Sequence, residues 1–80
     1  MARFLFDGLH ELPATEVVAG DLLLDADYYP IGTVTAANKG ALTVEVLSEA
    51  QGRLSLPGHH TFSFDGSDYL AIVRNAEVRQ

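Results

Sequence analysis

Histidines are the residues of this chain with the most versatile chemistry, and two of them, His59 and His60, are adjacent. Imidazole nitrogens are common ligands of zinc and nickel. In an extended segment neighbouring side chains point to opposite faces, so one shared metal ion would require a backbone turn at the preceding Pro57-Gly58. The third histidine, His10, is far away in sequence. The alternative is a plain solvated loop, and we predict no metal site.

Aspartates form the second group with possible chemistry, because Asp21, Asp25 and Asp27 lie close together. A calcium loop of the EF-hand type needs alternating oxygen ligands, a central glycine and a bidentate glutamate at its twelfth position. The segment that starts at Asp25 lacks that glycine and that pattern. We therefore interpret these residues as turn aspartates, whose carboxylates accept hydrogen bonds from their own backbone.

Nucleophilic catalysis would need a serine or threonine beside a base and an orienting acid. No serine lies in a Gly-x-Ser-x-Gly elbow, and the glycines are isolated, roughly one per turn, which does not suit a phosphate-binding loop. The serines are Ser48, Ser55, Ser63 and Ser67. The sequence therefore predicts that the protein is not an enzyme and uses no cofactor.

Exposed apolar residues point to binding instead. Tyr28 and Tyr29 follow acidic residues in a predicted loop, and tyrosine is enriched in binding hot spots. The alternative is that one tyrosine closes the mouth of the domain while the other packs on Pro30. Leu5, Leu47 and Val73 each fall on the strand face opposite their alternating apolar neighbours, so together they would form a docking patch. The predicted interface residues are Phe4, Phe6, Tyr28, Tyr29, Leu47 and Val73.

Composition excludes several classes of partner. The chain has 80 residues and a formal net charge of -6, and its five basic residues are scattered, which disfavours direct binding of nucleic acid. No segment approaches the ~20 apolar residues that span a bilayer, and no signal peptide is recognisable. Cysteine is absent, so no disulfide compensates for the small core. We expect a soluble intracellular protein, or a virion protein if a phage encodes it.

A hairpin is the best-defined element that would position these residues. Residues 31–37 and 41–47 flank Asn38-Lys39-Gly40, and the second arm alternates between apolar and polar side chains. Asn38 and Gly40 are residue types that tolerate positive φ, so we predict a three-residue loop with Gly40 in the left-handed conformation.

Other segments predict further short strands. We expect strands at residues 17–24, 53–56, 61–65 and 69–74, a turn at 48–52, a short strand around Phe4 and Phe6, and a helical turn from Leu9 to Leu12. The strands are spaced by turn signals at about 8 to 12 residues, which is typical of a small all-β sandwich or barrel.

This order resembles the SH3-like family of small barrels. The residues that carry the resemblance are Ala19-Gly20-Asp21-Leu22, Ile31-Gly32-Thr33-Val34 and Leu70-Ala71-Ile72-Val73-Arg74, and the pattern is also similar to uncharacterised small barrel proteins of actinobacteria and their phages. The loop 25–30 is similar in composition to the first long loop of peptide-binding SH3 domains, but the chain lacks the tryptophan of their proline-binding groove. The resemblance implies a fold and no activity.

The predicted fold is all-β, a small SH3-like barrel of five or six antiparallel strands with an N-terminal arm. The predicted organisation is an arm and connector at residues 1–16, a barrel domain at 17–75 and a tail at 76–80. The predicted core is Leu22, Leu24, Ile31, Val34, Leu42, Val44, Val46, Leu54, Phe62, Phe64, Leu70 and Ile72.

Three functions are compatible with these features. The first is a non-enzymatic structural subunit that docks on its own copies or on a larger assembly, such as a phage particle. The second is an acidic adaptor or inhibitor that binds one protein partner and occupies a basic, nucleic-acid-binding surface. The third is a metal- or small-molecule-binding enzyme that uses His59 and His60.

Overall fold

Six antiparallel strands form one sheet in the computed structural model, which describes residues 8–74. A short 3-10 helix, Ala14–Glu16, follows the first strand, and one α-helix, α1, spans Ser48–Leu54. The strands are β1 (Leu9–Pro13), β2 (Leu22–Leu24), β3 (Pro30–Asn38), β4 (Ala41–Val46), β5 (His59–Ser63) and β6 (Tyr69–Val73).

The strand order across the sheet is β1-β6-β2-β3-β4-β5. Strands β2 to β5 pair with their neighbours in sequence, whereas β6 returns to lie between β1 and β2. Within residues 8–74 the sheet is open, with β1 and β5 at its edges. The all-β class and the antiparallel pairing are therefore confirmed.

The predicted hairpin is present between β3 and β4. Its loop is shorter than predicted, because Asn38 is the last residue of β3 and pairs with Ala41. Lys39 and Gly40 both have positive φ, 52° and 93°, as expected for a two-residue turn whose twist matches that of the strands. Gly40 is left-handed, as the sequence predicts.

Residues 48–54 correct one prediction. The sequence suggests a turn at 48–52 and a strand from Arg53, but Ser48–Leu54 is the helix α1. Glu49 lies in its first turn and Arg53 in its last, where each complements the helix dipole, and Ser55 ends the helix with a left-handed φ of 58°. The sequence did not predict this helix because it has only about two turns and buries one residue, Ala50, so its side chains show no helical period.

Residues 9–13 correct a second prediction. A helical turn was expected from the spacing of Leu9 and Leu12, but these residues form β1, which pairs with β6 from Leu9 opposite Val73 to Pro13 opposite Tyr69. Pairing with β6 supplies backbone hydrogen bonds that a single helical turn could not match, since helix nucleation is unfavourable. Residues that the sequence assigns to an arm thus lie within the sheet.

The core follows the predicted alternation with three exceptions. Leu23 is buried in place of the half-exposed Leu22, beside a register shift between Leu23 and Leu24. Leu54 is exposed at the end of α1. Phe62, Phe64 and Leu70 are only partly buried, although they pack against the core. The buried apolar residues are Ala14, Val17, Leu23, Leu24, Ile31, Val34, Leu42, Val44, Val46, Ala50, Ile72 and Val73.

Candidate protein-binding cleft

An apolar cleft of about 500 Å³ opens where β5, β6 and the loop between β2 and β3 approach one another. We call it the tyrosine cleft. Its apolar floor consists of Leu23, Leu24, Ile31, Phe62, Phe64, Leu70 and Ala71, and the residues around them are Glu11, Asp25, Ala26, Tyr28, Leu54 and Tyr69. This volume lies within the range of about 300 to 1,000 Å³ that is usual for ligand pockets.

The cleft is apolar because β5 is an edge strand that leaves part of its core-facing side uncovered. The rings of Phe62 and Phe64 stack with their centroids 6.0 Å apart, and His60 meets Phe62 edge-on at 4.7 Å. Both phenylalanines remain partly exposed, although their position in the sheet directs them toward the core. The cost of leaving them in contact with water favours an occupant for the cleft.

One wall of the cleft is the loop between β2 and β3. Tyr28 lies here with a φ of 68°, a conformation that is rare for a bulky residue and is strained by about 1 kcal/mol or more. Four hydrogen bonds from backbone amides hold the loop. The Tyr28 amide donates to the Asp25 carbonyl and the Asp25 amide to the Tyr29 carbonyl, both at 2.9 Å, and the amides of Asp27 and Tyr29 donate to Asp25 Oδ1 at 2.8 and 3.0 Å. Asp25 is therefore a turn aspartate, as the sequence predicts.

The side chain of Tyr28 crosses the cleft. Its hydroxyl donates to Glu11 Oε2 at 2.7 Å, which connects the loop to β1 over 17 residues of sequence. The hydrogen bond to the Glu11 carboxylate and the negative charge of that group raise the pKa of Tyr28 above its ordinary value. Since phenol remains neutral at physiological pH, this contact positions the ring and performs no acid-base chemistry.

Arg53 at the end of α1 fixes the loop from the other side. Its guanidinium donates to Asp25 Oδ2 at 2.5 Å and to the Pro30 carbonyl at 3.1 Å, and it lies 5.1 Å from the centre of the Tyr29 ring. Burial alone would raise the pKa of Asp25, but hydrogen bonds from the Tyr29 amide and Arg53 outweigh it and lower that pKa. The strained loop is thus held by both α1 and β1.

A second ion pair lies away from the cleft and was missed at the sequence level. Arg74 donates from Nε and Nη2 to the two carboxylate oxygens of Asp21, at 2.9 and 2.8 Å, and the Val18 amide donates to Asp21 Oδ2 at 3.0 Å. The Asp21 side chain is 2% exposed. Burial acts to raise its pKa, but the bonds from Arg74 and Val18 prevail, so the pKa lies below its ordinary value. This pair ties the end of β6 to the turn before β2.

The structure separates the histidines that could have bound a metal. His10 is on β1 and His59 and His60 are on β5, the two opposite edges of the sheet. Within residues 8–74, no three histidine, aspartate or glutamate side chains are grouped so that they could hold a metal ion.

The predicted interface residues fall in different places. Tyr28, 42% exposed, lines the cleft, whereas Tyr29 and Leu47 are exposed outside it. Val73 is 3% exposed, so its prediction as an exposed docking residue was wrong: β6 lies between β1 and β2, and Val73 is paired on both sides. Phe4, Leu5 and Phe6 lie outside the described residues.

Several residues at the cleft were not among the predicted interface residues, and three of them lie around its floor. Glu11 and Tyr69 come from β1 and the start of β6, and Leu54 comes from α1. Tyr69 is 69% exposed, the largest exposure among the large apolar residues of the described chain. Its position directly after the polar Gly66-Ser67-Asp68 turn was the available signal, since tyrosine joins an apolar ring to a polar tip that can reach solvent.

Most of the charged side chains that remain outside ion pairs in the described chain are acidic. Within residues 8–74, Arg53 pairs with Asp25 and Arg74 pairs with Asp21. Lys39 is the remaining lysine or arginine of that range, and it forms no described ion pair. The carboxylates of that range outside these two ion pairs are Glu11, Glu16, Asp27, Glu45, Glu49, Asp65 and Asp68.

No helix in the described part of the chain has both the length and the apolar character needed to cross a membrane. Comparisons with protein-family models, with curated proteins and with solved structures give no match for this chain. The interpretation of function consequently depends on the geometry of the tyrosine cleft.

Proposed function

We propose that this chain is a non-enzymatic interaction subunit that docks, through the tyrosine cleft, on its own copies or on a larger protein assembly. The observation that carries the proposal is an apolar cleft whose wall is a strained tyrosine loop, anchored to α1 by Arg53 and to β1 by Glu11. Backbone strain of this kind persists where the surroundings impose it, and it is concentrated at functional sites.

The lining of the cleft favours binding over chemistry. Its two carboxylates are already engaged, Glu11 by the Tyr28 hydroxyl and Asp25 by Arg53. The exposed rings of Tyr28 and Tyr69 at an apolar floor match the composition of protein-binding hot spots. An apolar side chain of a partner would displace water from the floor, while the tyrosine hydroxyls supply hydrogen bonds at the rim.

Light scattering over a concentration series tests the proposal. Mass that grows with concentration above the 8.6 kDa monomer, at low and at high salt, would support self-docking. Tyr69→Ser should then reduce association, because it removes an exposed ring from the cleft without disturbing a described hydrogen bond. Val18→Ser is the matched control, since Val18 is a large exposed apolar residue outside the cleft. Equal losses in both variants would show that the cleft is not the docking surface.

A second candidate is the acidic adaptor, and the uneven pairing of charges favours it. With both described arginines held by carboxylates, the surface of residues 8–74 presents mainly negative side chains to a partner. Exposed charges are screened beyond about 8 to 10 Å at physiological ionic strength, so association with a basic protein should weaken steeply with salt. A pull-down at two salt concentrations measures this, and a salt-insensitive complex would exclude the adaptor.

A further inference from the structure

The edge of β5 that faces away from β4 carries backbone groups with no hydrogen-bond partner among residues 8–74. At one end of the β4–β5 pair the Phe64 amide donates to the Gly40 carbonyl at 2.9 Å. At the other end the Val46 amide donates to the Gly58 carbonyl at 2.7 Å, and both bonds fit one unbroken register. Bonded and non-bonded pairs alternate along an antiparallel ladder. The residues whose peptide groups face away from β4 are therefore His59, Thr61 and Ser63.

β5 lacks the features that commonly protect the edge of a sheet from a further strand. Charged side chains, proline and β-bulges serve this purpose in natural proteins. The opposite edge of the described sheet, β1, carries Glu11 and ends at Pro13. β5 contains no lysine, arginine, aspartate, glutamate or proline, and its pairing with β4 has no bulge. Because the chain has a formal net charge of -6, an edge without carboxylates is a place where two copies can approach without strong repulsion.

A second copy of β5 is complementary to the first when the two strands run antiparallel. A two-fold axis at Thr61 pairs this residue with Thr61 of the second copy, and it pairs His59 with Ser63 of the second copy. These residues are the ones whose peptide groups face outward. Since bonded pairs recur at every second residue, all of the outward groups of β5 then gain partners.

Neighbouring positions of the axis leave part of this ladder unmade. If the axis moves one residue toward the start of β5, Ser63 faces Pro57, which has no amide hydrogen. If it moves one residue toward the end of β5, His59 faces Asp65, whose amide already donates to Asp68 Oδ2 at 3.2 Å. The axis at Thr61 is therefore the position that satisfies the edge most completely.

We propose that β5 pairs antiparallel with β5 of a second copy about a two-fold axis at Thr61, which joins the two six-stranded sheets edge to edge. This inference rests on the proposed function and names the occupant as a second copy. Phe62 then lies opposite His60 of the second copy, in a non-bonded pair whose side chains approach closely. Both side chains are half-buried in the single chain, and Phe62 belongs to the floor of the tyrosine cleft. The pairing adds an aromatic contact at that side of the cleft, within a closed two-fold dimer.

A single cysteine tests the position of the axis. The chain has no cysteine of its own, so one substitution gives two identical thiols in a dimer. The Thr61 Cα atoms of the two copies would be about 5.5 Å apart, which a disulfide accepts, so Thr61→Cys should form a covalent dimer on mild oxidation. Ser63→Cys is the matched control. Ser63 is also exposed on β5, but its Cα atoms in the two copies would be about 14 Å apart and should not cross-link.

A proline tests the backbone hydrogen bonds. The Thr61 amide faces the free edge, so Thr61→Pro removes a donor from the dimer and none from the β4–β5 ladder, and edge strands tolerate proline in this orientation. Thr61→Ala is the control, because both variants lose the hydroxyl that lies 3.0 Å from the Thr43 hydroxyl but only alanine keeps the amide. In light scattering, Thr61→Pro should weaken dimerisation by about 10-fold or more and Thr61→Ala by about threefold or less. Circular dichroism verifies that both variants fold.

Three results would overturn the assignment. Equal cross-linking of Thr61→Cys and Ser63→Cys would mean that the two copies have no fixed register. Equal association of the folded proline and alanine variants would mean that β5 is not the contact, and a monomer at every concentration would mean that no second copy binds. If the proline variant does not fold, the cysteine comparison decides. Association that Tyr69→Ser weakens and Thr61→Pro does not would discard the β5 pairing and keep the proposed function, so the two can fail separately.

Discussion

Replacement of Arg74 by methionine should destabilise the protein strongly at neutral pH and much less in acid. The Asp21 side chain is 2% exposed, and two of the three described hydrogen bonds to its carboxylate come from Arg74. Removing one partner of a buried pair costs about 3 to 5 kcal/mol, because the other charge stays buried without compensation. Arg74 is itself one-third exposed, so we expect the lower end, about 3 kcal/mol. Domains of this size are stable by only about 5 kcal/mol.

The pH dependence follows from the direction of the Asp21 pKa in each protein. In the unmodified protein folding lowers this pKa. The ionised Asp21 carboxylate therefore contributes its full stabilisation above the pKa that Asp21 has in the unfolded chain, and this stabilisation is lost as pH falls through the pKa that it has in the folded protein. In Arg74→Met burial still acts to raise the Asp21 pKa and the Val18 amide still acts to lower it, but the lowering by the guanidinium is gone, so this pKa lies above its value in the unmodified protein. As pH falls, protonation of Asp21 in the variant removes the buried negative charge and with it the free-energy penalty of leaving that charge unpaired. The difference in unfolding free energy should therefore shrink as pH falls through the Asp21 pKa of the folded variant, and it should reach its minimum only below the lower Asp21 pKa of the unmodified protein.

Urea unfolding of both proteins at several pH values measures this difference. Asp21→Asn is the matched control: it leaves no buried charge, and the partly exposed guanidinium of Arg74 can turn to solvent, so the loss should be smaller, about 1 to 2 kcal/mol. A penalty for Arg74→Met that stays constant with pH, or that equals the penalty for Asp21→Asn, would refute the assignment of a buried carboxylate held by Arg74.

Further substitutions test the loop and the core. Tyr28→Gly should be more stable than Tyr28→Ala by about 1 kcal/mol, because both variants lose the ring and the hydrogen bond to Glu11 but only glycine accepts a φ of 68° without strain. Thermal unfolding measures this difference, and a glycine variant no more stable than the alanine variant would contradict the strain. Both variants should weaken association in light scattering. Arg53→Met should weaken association more than stability, since the Asp25 ion pair is partly exposed and such pairs contribute about 0 to 1 kcal/mol. Leu42→Ala should cost about 2 to 5 kcal/mol, because Leu42 is fully buried, and so lower the midpoint of thermal unfolding measured by circular dichroism; an unchanged midpoint would refute its place in the core.

Sequence alone determined the features that depend on residues close together in the chain. The alternation of β4 and the positive φ of Gly40 follow from local side-chain periodicity and from a residue type that tolerates the left-handed conformation. The turn role of Asp25 is equally local, since its carboxylate accepts amides two and four residues ahead. The all-β class followed from repeating such signals along the chain.

Only the tertiary structure decided features that need distant segments to meet. Asp21 and Arg74 are 53 residues apart, and neither carries a local sign of the other. Val73 is buried because β6 lies between β1 and β2, an order that side-chain alternation does not encode. The tyrosine cleft combines β1, the loop after β2, α1, β5 and β6. Periodicity specifies which face of each strand is apolar, but the order of strands determines which of those faces are covered.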